Sequence, residues 1–168
     1  MEYLQVFDIN KNKLDEKINR DNKYDLPEGK YFMIILLFIE NDNGDFLLQK
    51  TSKSRNSCIA TTGGHVTYGD SGLETVVKEG KEELGIDILP NDVDYVDTFI
   101  FKNAYLETYY AKMNLDIKSL KLQTEEVESV DWYSKDDIVK LIKNGELREG
   151  NIKPYEKVIE YINATKRI

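Results

Sequence analysis

Glu79, Glu82 and Glu83 fall within five residues of one another, inside the stretch Gly63 to Ile86 that reads GGHVTYGDSGLETVVKEGKEELGI. On a helix of 3.6 residues per turn, positions i, i+3 and i+4 share a face, so the three carboxylates sit together. No lysine stands at i+4 from Glu79 or Glu83 to neutralise them. Like charges at that spacing cost a helix about 0.2–0.5 kcal/mol per pair. A hard divalent cation removes the cost, because Mg²⁺ favours carboxylate oxygens together with waters and substrate phosphates. Gly63 and Gly64 precede the helix, and glycines permit positive φ and close backbone approach. Metal-assisted chemistry on a phosphate is the reading these residues invite. The competing one is a solvated, charged helix face, the usual explanation of such runs.

The helix that must carry them has its own start and stop signals. Ser71 is a good N-cap and Glu74 completes a capping box. Asp70 and Glu74 suit the positive end of the helix dipole. Leu73, Val76, Val77, Gly80 and Leu84 form the stripe that faces a core, and the three glutamates flank that stripe, at the edge where a cleft can form. Glu74–Lys78 and Lys78–Glu82 are i,i+4 pairs expected to steady the helix. Gly85 ends it as a C′ glycine.

This pattern resembles the Nudix hydrolase signature: Gly, five residues, Glu, seven residues, Arg-Glu-aliphatic-any-Glu-Glu-any-Gly-aliphatic. Gly64, Glu79, Glu82, Glu83, Gly85 and Ile86 match it. Asp70 replaces a glutamate, Lys78 an arginine and Gly80 the aliphatic residue. Asp70 and Lys78 keep the charge, although a lysine lacks the two-pronged geometry of a guanidinium. Gly80 costs about 1 kcal/mol relative to alanine and is expected to leave a small gap on the packing face. The resemblance implies one to three Mg²⁺ or Mn²⁺ ions held by Glu79, Glu82, Glu83 and the carbonyl of Gly63. It implies water attack at the phosphorus of a small-molecule diphosphate or nucleotide. The general base is then Glu79 or Glu82, or a glutamate of a later loop among Glu125, Glu126 and Glu128, with Glu126 preferred. Lys53 and Arg55 lie on the polar loop before the signature, where they could touch phosphate, although exposed surface charge is the plainer reading.

VFDINKNK, the strand after PEGKYF and FLLQK resemble the subset of the family that includes isopentenyl-diphosphate isomerase. That isomerase needs a cysteine just before its Gly-His pair, where this chain has Gly63, and Cys58 is five residues too early. Hydrolysis of a nucleoside diphosphate linked to some group X is therefore favoured over isomerisation. It is also favoured over a non-catalytic nucleotide-binding module, because all three signature glutamates are retained.

The remaining composition bounds the partners. A net charge of −8 gives no footprint for a nucleic-acid polymer. The apolar run Tyr31 to Ile39 is far short of a membrane span, and the N-terminus has no signal-peptide pattern. A single cysteine excludes an internal disulfide and fits a reducing compartment. The expectation is a cytoplasmic protein with one domain over residues 1–168, for which a homodimer is an option common among similar folds. His65, the only histidine, cannot build a zinc site alone, and Cys58 is expected to be a small buried hydrophobe. Tyr105, Tyr109 and Tyr110 read as core or sheet surface.

In chain order, Tyr3–Ile9 alternates like a short strand, and 14–30 reads as an irregular polar connector. Tyr31–Ile39 reads as a strand buried on both faces, and Asp45–Lys50 as its hairpin partner after the Asn41–Gly44 turn. After the central helix, strands are expected at 93–101, 105–113 and 128–133, a helix capped by Ser134 to about Lys143, and a last helix from Pro154. The expected fold class is α/β: a Nudix-type α/β/α sandwich with a central mixed sheet and a loop–helix–loop signature, the resemblance covering about residues 1–143.

Overall fold

The computed structural model describes residues 1–53 and 57–166. The architecture grows from β3 (Phe32–Glu40), which is apolar at nearly every position. Its odd residues Met33, Ile35, Leu37 and Ile39 enter one core with Val76, Leu84, Tyr105 and Tyr109. Its even residues Leu36 and Phe38 enter a second core with Leu106, Ile138, Tyr155, Val158 and Ile162. Side chains of a strand alternate faces, so a continuous apolar run requires cover on both sides. That cover is α1 (Gly72–Glu79) on one face, and α2 (Lys135–Lys143) with α3 (Ile152–Thr165) on the other. The result is the expected α/β/α sandwich.

The sheet is mixed. β3 pairs in parallel with β8 (Ala104–Lys112), which pairs antiparallel with β7 (Asp94–Phe101). On its other side β3 meets β4 (Phe46–Thr51) only at Glu40–Phe46. The expected hairpin therefore splays. β4 turns away to pair with β9 (Val127–Tyr133) and with the short β5 (Ile59–Ala60). β6 (Thr62–His65) takes the vacated place beside β3, from Ile34 to Leu37. The chain crosses from β5 to β6 through Thr61, whose hydroxyl donates to the Leu37 carbonyl and whose N–H donates to Asn151 Oδ1 at 2.8 Å. A wedge opens between the diverging β4 and β6, and the end of the central helix fills one side of it.

Residues 14–30 are not an irregular connector. β2 (Lys13–Asn19) forms an antiparallel ribbon with β1 (Tyr3–Phe7), and Arg20–Asp25 winds into a 3-10 segment. The ribbon face of β2 is largely exposed, so burial imposes no apolar alternation on it. α3 begins at Ile152, with Pro154 as its third residue. Cys58 is half-buried rather than buried.

The central helix starts as expected: Ser71 accepts from the Glu74 N–H, and Glu74 accepts from the Ser71 N–H, both at 3.1 Å. Its second half departs from a regular α-helix. Gly80–Leu84 is a π-turn: the Gly85 N–H is shared between Gly80 O, five residues back, and Lys81 O at 3.0 Å, and the Ile86 N–H also reaches Gly80 O at 3.2 Å. Gly85 closes it at φ +70°. The gap expected at Gly80 is absent, because a Cβ there would collide with Ile88, which fills the space. Lys78 forms no ion pair with Glu74 or Glu82 among the described residues, Glu74 being committed to the cap.

Candidate active site

The widened π-turn sorts the three glutamates. Glu83 is carried inward and buried, 3% exposed, while Glu82 stays exposed and Glu79 is half-buried. Glu83 Oε1 accepts from the Gly63 N–H at 3.1 Å, and Oε2 accepts from Gln49 Nε2 at 3.0 Å. One hydrogen bond therefore reaches each edge of the wedge, β6 and β4. Glu79 lies over Gly64 so closely that a Cβ on Gly64 would overlap its carboxylate. A Cβ on Gly63 would stand 2.6 Å from Ile35 O. The glycine pair is thus required by close approach, on one side to a carboxylate and on the other to backbone.

A later loop closes the site. Gln123 N–H donates to Glu83 O at 3.2 Å, Lys121 N–H to Leu84 O at 3.1 Å, and Glu126 N–H to Gln123 O at 3.0 Å. These bonds bring Glu126, half-buried, to the cleft beside the helix glutamates. Glu125 and Glu128 stay exposed, and Glu128 pairs with Lys50 at 3.7 Å. Together Glu79, Glu82, Glu83, Glu126, Gly63 and Lys78 line a cleft of about 320 Å³. Burial pushes the Glu79 carboxyl up to about 8, helped by the negative charges of Glu83, Glu82 and Glu126 and opposed by Lys78. Both causes penalise the charged form.

Arg20 and Arg148 line the same cleft. Neither was expected from the sequence. Arg20 is held by Glu2 at 2.8 Å. Arg148 is placed because residues 146–148 run alongside β5, with the Arg148 N–H donating to Ile59 O at 2.8 Å. The one available cue was scarcity: the chain has four arginines among its 23 basic residues, and arginine is the cation whose fork matches phosphate. Gln49 was also missed, although it is a polar residue ending the apolar run Phe46–Leu48 at a buried position, 4% exposed. Its Oε1 is buried without a hydrogen-bond partner.

The remaining candidates lie as follows. Asp70 accepts from Thr67 Oγ1 at 2.7 Å and fastens the turn before α1, away from the cleft. A Cβ on Gly85 would crowd Lys121 at 2.7 Å, so that glycine is structural. Lys53 is exposed and does not line the cleft, and Arg55 lies outside the described residues. His65 lines the cleft, receives Lys23 Nζ at 2.9 Å and stacks on Phe32. Cys58 does not line it and instead exchanges contacts with Thr51.

The oxygen donors fit a hard divalent ion, and gathering four carboxylates around one cleft, Glu83 among them buried, leaves negative charge for it to offset. Among the described residues no three acidic, histidine or cysteine side chains form a ready cage. The donors suit Mg²⁺, which keeps several waters and takes one or two carboxylates plus substrate phosphate.

The fold is an α/β/α sandwich with an acidic cleft at the end of its central helix, and comparison with known proteins supplies the family. Residues 30–157 match the NUDIX domain family model, so the chain belongs to the Nudix hydrolases. It is 26% identical to an uncharacterised Nudix hydrolase of Listeria innocua over 125 residues, 72% of this chain and 74% of that one. A solved structure of DR0079 from Deinococcus radiodurans superposes with TM-score 0.70 at 16% identity, covering 86% of this chain and 91% of that one. The NUDIX domain of Shewanella oneidensis NrtR, solved with ADP ribose, gives 0.64 at 13% identity, covering 86% and 99%. A C. elegans Ap4A hydrolase binary complex gives 0.59 at 19% identity, covering 79% and 98%. No described helix is long and apolar enough to cross a membrane.

Proposed function

We propose that this protein is a metal-dependent hydrolase that cleaves a phosphoanhydride bond of a nucleoside diphosphate linked to a group X, or of a related nucleotide, by water attack at phosphorus. The observation that carries the reading is the mixed charge of one cleft: Glu79, Glu82, Glu83 and Glu126 line it together with Lys78, Arg148 and Arg20, the last paired with Glu2. A polyphosphate satisfies both signs of charge only when a cation lies between it and the carboxylates. Glu79, Glu82, Glu83 and the Gly63 carbonyl would hold Mg²⁺ or Mn²⁺. The ion, when bound, neutralises phosphate charge and lowers the pKa of a bound water.

The protein's own groups do the rest. Gln49 and the Gly63 N–H fix both oxygens of Glu83. Glu126, brought to the cleft by its loop, accepts the proton of the attacking water. The arginines hold phosphate oxygens. The position of Cys58 outside the cleft favours hydrolysis over isomerisation. One structural neighbour was solved with ADP ribose and another is an Ap4A hydrolase, which favours a nucleotide substrate here. The same reading takes residues 1–168 as one domain acting in the cytoplasm.

Phosphate release, with and without a coupled phosphatase, across nucleotides and other diphosphates tests this. Turnover should require Mg²⁺ or Mn²⁺ and stop with chelator. Glu126→Gln should lower kcat about 10²-fold, whereas Glu125→Gln should change it less than about twofold, since that side chain stays exposed. Turnover that survives chelation would overturn the metal dependence. Unchanged kcat in Glu126→Gln would return the base to the helix.

A further inference from the structure

A second cavity, about 180 Å³, adjoins the carboxylate cleft, and Ile34, Leu36 and Arg148 line both. Its floor is apolar: Leu36, Leu106 and Ala104 are buried, with Phe32 and Phe101 at the walls. Its mouth is different. Tyr24 is 61% exposed, set edge-on to Phe32 at 5.8 Å. Lys23 and Lys102 place their ammonium groups 5.2 and 5.8 Å from the Tyr24 ring. Asn103 Nδ2 donates to Lys23 O at 2.8 Å and ties this 3-10 segment to the β7–β8 turn. Asn151, whose Oδ1 is held by the Thr61 N–H, also lines the cavity, and its Nδ2 has no partner among the described residues.

We infer that this annex is the site for the nucleobase of the substrate. The inference rests on the proposed hydrolase reading, because the cleft must hold the phosphates for the annex to receive the base. An apolar cavity of about 150 Å³ admits a benzene ring, so the annex has room for one aromatic ring system. Stacking against aromatic side chains tolerates any base, because every base has a π-face. The Lys102 ammonium beside Tyr24 and the buried Asn151 amide, both lining the cavity, complement the carbonyl and ring-nitrogen acceptors of a base. These polar groups offer nothing to a hydrocarbon chain, which is why a prenyl diphosphate is the poorer occupant. Arg148, shared by both spaces, stands where the base-bearing sugar phosphate passes from annex to cleft.

Calorimetry with nucleoside monophosphates, ribose 5-phosphate and isopentenyl phosphate tests the annex without requiring turnover. Nucleoside monophosphates should bind at least about tenfold more tightly than ribose 5-phosphate. Tyr24→Ala, at an exposed position, should reduce that preference. Gly150→Leu should abolish it by filling the cavity, since a Cβ at Gly150 meets only ordinary contacts, 3.7 Å from Leu106 and 3.9 Å from Phe101. Neither substitution should change ribose 5-phosphate binding more than about twofold, as neither side chain lines the carboxylate cleft. The inference is overturned if nucleotides and ribose 5-phosphate bind alike, if no nucleotide binds at millimolar concentration, or if isopentenyl phosphate binds tightest. Failure of the hydrolase reading would show separately, as absent turnover with the base preference intact.

Discussion

Replacing Glu79 with glutamine is expected to lower kcat/KM about 10³-fold, the scale of removing several kcal/mol of transition-state charge stabilisation. The same change should raise the thermal stability of the metal-free protein at pH 8. The two effects have one cause. Glu79 is half-buried among three other carboxylates, and its folded-state pKa is pushed up to about 8 from 4.5. Between those values the folded protein retains a proton that the unfolded chain releases. The favourable contribution is fully present below pH 4.5 and is lost as pH rises through about 8. At about 1.4 kcal/mol per unit, less the part screened by solvent, the cost is substantial by pH 8. Glutamine mimics the neutral acid and removes it. The difference in Tm between variant and wild type, measured with chelator, should therefore widen from pH 5 to pH 8 and reverse when saturating Mg²⁺ is added. A difference that stays flat across this range would show that Glu79 is not held in a charge-penalising site.

The second large effect separates two adjacent glycines. Gly64→Ala places its Cβ against the Glu79 carboxylate, the far end of a flexible side chain, whereas Gly63→Ala places it 2.6 Å from the Ile35 carbonyl. β3 and β6 are paired there, so the backbone cannot yield cheaply. Gly63→Ala should cost about 1–3 kcal/mol by overpacking and lower Tm by roughly 2–12 °C. Gly64→Ala should hold Tm within about 3 °C yet lower kcat/KM at least about 10²-fold, because a displacement near 1 Å at a catalytic group has that effect. Equal loss of stability in both variants would refute the assignment of Gly64 to carboxylate clearance. Thermal melts and initial rates on the same samples decide it.

What the sequence could reveal followed the range of the interactions. The start of α1 was legible because Ser71 and Glu74 satisfy each other across one turn. Gly85 was legible because a left-handed residue ends a helix locally. The π-turn was not, since it depends on Ile88 occupying the space beside Gly80. The burial of Glu83 depends likewise on Gln49 and Gly63 from two different strands. β2 was missed because its sequence, KLDEKIN, forms a mostly exposed ribbon and carries no apolar period. Arg20 and Arg148 are remote from the signature and reach the cleft only through the Arg20–Asp25 segment and the strand-like run beside β5. Family resemblance implied a glutamate of the later loop without separating Glu125, Glu126 and Glu128; the place of Glu126 at the cleft follows from hydrogen bonds between Gln123 and the end of the central helix.

Titration of Mg²⁺ into the metal-free protein by calorimetry, in buffers of different ionisation enthalpy from pH 6 to pH 9, tests the central claim most directly. If the carboxylates around Glu79 are the metal site, binding should be saturable and should tighten as pH rises toward 8. It should release up to about one proton at pH 6–7, falling toward zero by pH 9, because metal displaces the proton that Glu79 otherwise retains. Glu79→Gln should abolish the proton release. Saturable binding without any proton release, or no binding at all, would contradict the account.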